Sequence, residues 1–277
     1  MKSEVFNGSR FWNYFKYDFR QMWRNHVKAS IGIGLSGLIL YLVWVIIGLA
    51  TTGQWSAPSM SARLVVFILA FTALELYQTR TYGYLTDRRK GSAWLLLPAS
   101  GFEKWLSMML MTLIIIPAFF LVASLGLDII LSLADPTFGE SLVSGFADGF
   151  KSLSGGFVEI NQTYETSWDP RVFLAPVLAG FCANFLYFLL CGISFKRYKI
   201  LWGFALMALA GFAIILVSAL LLKAGAITST NIVIDESDPA LAEVKIRAIM
   251  RWETIFTGIF AALLAFLTYR RIKTLKH

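Results

Sequence analysis

The chain has 277 residues, 57% of them hydrophobic and 15% charged, with a formal net charge of +8 and a mean hydropathy of +0.65. Soluble domains are nearer half apolar and a quarter charged, and the long charge-free runs here are too many for a soluble core of this size to hide. A soluble globular protein is excluded, and a polytopic, all-α membrane protein is predicted.

Residues 1–29 form the first unit. Phe11, Phe15, Phe19, Trp23 and Val27 recur every four residues and make one helical stripe. Lys16, Arg20, Arg24 and Lys28 make the stripe beside it, with Asn13, Gln21 and Asn25 on the polar side. Such a helix lies in the membrane interface, aromatics in the acyl boundary and bases toward phosphates. It pins the first span, and its polar side is also available to a cytoplasmic partner. The first apolar run is full length, so no cleavable signal peptide is expected.

Residues 30–277 form the membrane domain. A bilayer core takes about 20 apolar residues as a helix, and six runs qualify: Ser30–Ala50, Leu64–Gln78, Trp105–Leu133, Val172–Phe195, Ile200–Leu222 and Thr254–Tyr269. The second and sixth are short, so their helices are expected to take in flanking polar residues. Pro117 is a kink point in the long third run. With the N-terminus inside, the inner segments carry 18 of the 25 basic residues, and the outer ones 11 of the 17 acidic residues. The positive-inside rule then places both termini in the cytoplasm, as an even number of spans demands. Anionic lipid beside these loops accounts for the +8 charge without a nucleic-acid partner.

Cys182 and Cys191 fall in one run, about 13 Å apart along a helix axis. That is too far for a disulfide, and packing explains them. Ser30/Gly34 and Gly258/Ala262 offer small faces at four-residue spacing for close helix contact. Glu75, toward the inner end of span two, and Asp128, toward the outer end of span three, are the two carboxylates inside the apolar runs. Each is either a paired or solvated structural group or part of a gate or substrate path. The outer loop 134–171 is rich in Gly, Ser and acids and includes the sequon Asn161-Gln162-Thr163, read as a chance match. In the outer segment 223–253, Asp238 is placed to cap a helix over Pro239–Arg251, lying on or dipping into the outer leaflet.

The inner loop 78–104 is the most informative stretch. A charged turn, Asp87-Arg88-Arg89-Lys90, leads through Gly91 into Ser92-Ala93-Trp94-Leu95-Leu96-Leu97. Pro98 ends any helix there. Ser100-Gly101-Phe102-Glu103 is a capping box that opens the helix of span three. Four large apolar residues are thus held in a cytoplasmic loop, each costing about 1.5–3 kcal/mol if left in water rather than buried. Their cover is lipid, the rest of the chain, or a partner.

This order, with Asp87 to Ser92, Leu95-Leu96-Leu97-Pro98-Ala99-Ser100 and Glu103-Lys104-Trp105, resembles the first inner loop of ABC-2-type transporter permeases. The resemblance implies that Ser92–Leu97 belongs to a coupling helix that docks on a separate ATPase. Trp94, Leu95 and Leu96 would then fill the ATPase groove, with Arg88, Arg89 and Glu103 at its rim. It implies too that residues 1–29 are the family's interfacial helix. Six spans with both termini inside would form one half of a homo- or heterodimeric exporter in the cell's inner membrane.

The chain has no G-x-x-x-x-G-K-[ST] phosphate loop, no histidine in a span, and no cluster suited to a metal or to nucleophilic catalysis. No catalytic residue and no cofactor is expected in this chain. ATP and Mg2+ belong to the ATPase partner, and the cargo suited to these spans is hydrophobic or amphipathic. The alternative is a non-transporting scaffold or assembly factor whose inner loop binds another cytoplasmic partner.

Overall fold

The computed structural model describes residues 6–87, 91, 94, 96–152, 174–223 and 239–274. Among the described residues every regular element is helical, with no strand. Helix α1 (Gly8–Met22) starts at Asn7, whose side chain accepts from the amides of Ser9 and Arg10. It widens through a π turn at Trp23–Val27 into α2 (Lys28–Gly34), and after a break at Leu35 into α3 (Ser36–Thr52). Gly53, at φ +68°, stops α3 in the left-handed conformation that glycine adopts without strain.

Helix α4 (Met60–Thr81) runs back, past both ends of the apolar run, and closes in a 3₁₀ turn at Gly83–Thr86. The third apolar run is α5 (Gly101–Leu110), a π turn (Met111–Ile115) and α6 (Ile116–Ala134). Pro117 is the second residue of α6, one position beyond the residue that follows the π turn's end at Ile115. Lacking an N–H, it cannot close the regular turn behind it, and the widened turn absorbs the mismatch. A short outer helix, α7, covers residues 142–152. Then come α8 (Leu174–Ser194), α9 (Lys199–Lys223) and α10 (Pro239–Thr274).

Among the described residues, five helical segments are long and apolar enough to cross a membrane: Lys28–Thr52, Met60–Thr86, Gly101–Ala134, Leu174–Ser194 and Arg247–Thr274. Helix α9 covers the remaining apolar run and is helical for 25 residues. The outward faces of these helices are crowded with exposed Ile, Leu, Val and Phe, such as Ile39, Ile46, Val122 and Phe256. In water such continuous apolar patches would drive aggregation, whereas lipid covers them. The helix expected over Pro239–Arg251 is not a separate element. It continues without a break into the last apolar run as a single 36-residue helix. Charges at Lys245, Arg247, Arg251 and Glu253 lower the local hydropathy without interrupting helical backbone.

Helix α8 is the hub, packed along α10 and α4, with α9 leaning chiefly on it. Phe71, Phe120, Phe181 and Phe185 meet at its centre, the last two with ring centroids 4.4 Å apart. Small residues set the closest approaches. A Cβ on Gly34 would stand 2.9 Å from the carbonyl oxygen of Phe120, so the Ser30/Gly34 face packs within the chain, against α6. Gly258, by contrast, has nothing within 4 Å of its missing Cβ.

Gly192 on α8 is the tightest of these contacts, since a Cβ there would lie 2.5 Å from the Thr79 carbonyl oxygen on α4. Gly192→Ala is expected to lower stability by about 1–3 kcal/mol through forced separation of the two backbones. Gly258→Ala, in open space, should leave the melting temperature in detergent unchanged or slightly raised. Equal melting temperatures for the two variants would show that the helix contact is not that close.

Candidate functional site

The inner loop, α1 and the start of α5 come together at one end of the bundle. The capping box expected there is complete. Ser100 Oγ accepts from the Glu103 amide at 3.2 Å, and Glu103 Oε2 accepts from the Ser100 amide at 2.9 Å. Glu103 is also buried and bound by α1: Arg10 donates to both carboxylate oxygens, its Nη2 at 2.7 Å and its Nε at 2.8 Å, and the Asn7 amide donates at 2.9 Å. The carboxylate expected at the rim of a partner groove therefore faces inward and fastens the N-terminal helix.

Trp94 is likewise turned inward, only 4% exposed. Its indole N–H donates to Tyr14 Oη at 2.9 Å, while Lys104 Nζ donates to the Trp94 carbonyl at 3.0 Å and sits 4.7 Å from its ring centroid. The chain itself thus supplies the cover that this indole needs. Leu97 packs on the main core, and Leu96 stands out at 85% exposed. Arg88, Arg89 and Leu95 lie outside the described residues.

The residue that organises this end escaped the reading of the sequence. Asp18, on α1, is buried and accepts from Ser107 Oγ at 2.6 Å and Tyr82 Oη at 2.8 Å. No salt bridge reaches it among the described residues. It ties α1 at once to the end of α4 and to α5. Burial pushes its carboxyl up to about 6 even though both hydroxyls pull the other way. Burial, with the charge of Asp18 beside it, also raises the Tyr14 phenol well above its ordinary range.

The buried stripe of α1 is Tyr14, Asp18 and Met22, flanked by the half-buried Phe11, Phe15 and Phe19. The aromatic stripe expected to enter lipid thus also packs on the protein, with Trp23 edge-on to Phe119 at 5.1 Å. Arg20 and Arg24 stay exposed, as Lys16 does. At 3.6 residues per turn, position 18 falls in the same sector as 11, 14, 15 and 22. An acid in an apolar sector was the signal available. His26, in the π turn, faces Tyr77 Oη at 3.0 Å, and burial lowers its imidazole to about 4.

At the opposite end a second polar cluster forms. Asp128 pairs with Arg63 at 2.9 Å and takes the Leu142 amide, while Arg63 also donates to the carbonyls of Phe138 and Glu140 and covers the Phe138 ring at 4.0 Å. Asp135 accepts from Tyr41 and Trp55, both at 2.9 Å, and from Thr137. Burial opposes its ionisation, but these donors prevail and hold it down at about 2. Glu75 is half-buried and accepts from the Asn184 side-chain amide at 3.5 Å. The two carboxylates of the apolar runs are therefore far from equivalent: Asp128 is locked to its surroundings and Glu75 is loosely held.

Cys182 and Cys191 are both free thiols. No group of three or more His, Cys, Asp or Glu side chains suited to a metal occurs among the described residues. No protein-family model, curated protein or solved structure matches the chain.

Two outcomes test these clusters. A carboxyl with a raised folded-state value contributes most below its ordinary value near 4, and that contribution is lost as pH rises through about 6. His26, lowered to about 4, gives the opposite slope across an overlapping range, so the diagnostic is a difference between proteins. Asp18→Asn should gain on the wild type as pH rises from 4 to 7, by up to about 3 kcal/mol. Parallel pH–stability curves would rule out a buried, high-value carboxyl. At the other end, Arg63→Met strands Asp128 and should cost about 3–5 kcal/mol, much of it restored in Arg63→Met/Asp128→Leu. Additive losses in that double-mutant cycle would count against the pairing.

Proposed function

We propose that the chain is the membrane-spanning subunit of an ATP-driven transporter of the ABC-2 type, exporting a hydrophobic or amphipathic cargo. In this reading the chain crosses the inner membrane six times with both termini in the cytoplasm. It pairs with a second permease chain and docks on a separate ATPase through the inner loop. ATP and Mg2+ are bound by that partner. Movement of the ATPases is passed through the loop to α1, α4 and α5, and switches the path between the spans.

The observation that carries the reading is the state of the inner loop. Trp94 and Glu103 are anchored within the chain on either side of Leu96, which is 85% exposed. A bare leucine on a loop braced at both ends is suited to press into a groove and transmit force. The bracing distinguishes a lever from a tether: Tyr14, Asp18 and Arg10 bind the loop and the start of α5 to the interfacial helix. The concentration of basic residues in the segments at this end supports its cytoplasmic placement. The exposed Gly258/Ala262 face on α10 is compatible with close contact to a second permease chain.

Leu96→Asp separates docking from folding, because the side chain it replaces supports nothing inside the protein. The variant should insert and melt as the wild type does. Co-purification of a phosphate-loop ATPase, and cargo-stimulated ATP hydrolysis by the complex, should both fall about tenfold or more, as for loss of a central apolar anchor. A complex that survives Leu96→Asp with full activity would sink the reading.

A further inference from the structure

We propose that the cleft between the inner ends of α4 and the α8–α9 turn is a binding site for the phosphate headgroup of an anionic membrane phospholipid. The cleft has a volume of about 690 Å³, and its lining includes Arg80 on α4 and Lys196, Lys199, Leu201 and Phe204 on the turn and α9. No acidic side chain lines it. The proposal needs only that the helices sit in a membrane, and stands whether or not the chain is a transporter subunit.

The charge balance points to an anion. Lys199 Nζ is held by three neutral oxygens, the carbonyls of Gly83 at 2.6 Å and Gly192 at 2.7 Å and the Thr86 hydroxyl at 3.0 Å. Those contacts fix the ammonium without cancelling its charge. Arg80 and Lys196 are exposed at the cleft, and none of the three bases has a salt-bridge partner among the described residues. Three positive charges therefore converge on one hollow at the foot of the bundle. Helix α9 begins at Lys199, so its first-turn amides and the positive end of its dipole add to the same field.

The apolar wall decides what kind of anion. Leu201 is 67% exposed and Phe204 49% exposed, and both lie on α9 directly above the basic rim. A free phosphate ion makes no use of them. A phospholipid does, its phosphate meeting the bases while an acyl chain follows the face of α9. Tyr198, in the same lining, adopts a left-handed backbone conformation, φ +52°, and is 74% exposed. An amphipathic phenol at a headgroup boundary is where tyrosine is enriched in membrane proteins.

The test uses the full-length protein, purified in detergent and exposed to mixed micelles. Lipid retained through delipidation is counted by native mass spectrometry. Wild-type protein should hold phosphatidylglycerol in preference to phosphatidylcholine, and Arg80→Gln/Lys196→Gln should weaken that retention about 30-fold, at roughly fivefold per charge. Both side chains are exposed and outside the core, so the double variant should melt normally. Lys16→Gln/Arg20→Gln, equal in charge and placed on α1, should keep the bound lipid. Inorganic phosphate at millimolar concentration should fail to displace it. Unchanged retention in the cleft variant, equal loss in the α1 variant, or full displacement by phosphate would each overturn the proposal.

Discussion

A carboxyl that no salt bridge reaches among the described residues, held between three helices, sets one end of this protein. Asp18 carries an ionisable group into the interior, where desolvation is expensive unless hydrogen bonds offset it. Ser107 and Tyr82 do so from two different helices, so α1 cannot leave its place without stranding the carboxyl. An amphipathic helix that merely floated on lipid would slide and roll. This one is keyed to α4 and α5 and stacks its aromatics against the same wall. Everything that the inner loop can do mechanically follows from that key, because the loop hangs from the same two helices and from Tyr14.

The outer end is built on a different solution to the same cost. There Asp128 meets a cation, and Arg63 Nη2 donates to two backbone carbonyls. A buried ion pair of this kind contributes little net stability over an apolar pair, but breaking it is severe. It therefore specifies where the segment after α6 folds back more than it strengthens the fold. Asp135, with Tyr41 and Trp55, ties that segment to α3 in the same manner.

The sequence reveals features whose cause is local and hides those whose cause is a partner far along the chain. Apolar runs announce membrane helices because lipid selects on composition alone, and five of them form helices of spanning length. The capping box at Ser100 is legible because its two hydrogen bonds lie within four residues. Arg63 and Asp128 are 65 residues apart, and Arg63 sits one position outside the apolar run as hydropathy draws it. Nothing local says that the helix extends to enclose it. Asp18 is hidden for the same reason, since its partners Tyr82 and Ser107 lie 64 and 89 residues away. Glu103 shows the reverse error, for its chemistry was correctly placed in the cap while its exposure was assigned from the loop around it.

The distribution of directional ties has a mechanical meaning. In lipid, apolar side chains gain little by leaving one another for the bilayer, so helix contacts rely on close packing and on hydrogen bonds. Among the described residues those bonds gather at the two ends: Asp18, Glu103 and Lys199 at one, Arg63 and Asp135 at the other. Between them the helices meet mainly through Phe, Leu and Gly, with single ties from Tyr187 to the Gly203 carbonyl at 2.6 Å, from Trp105 to the Ala265 carbonyl at 3.0 Å and from Asn184 to Glu75 at 3.5 Å. Contacts of that kind fix distance more firmly than register.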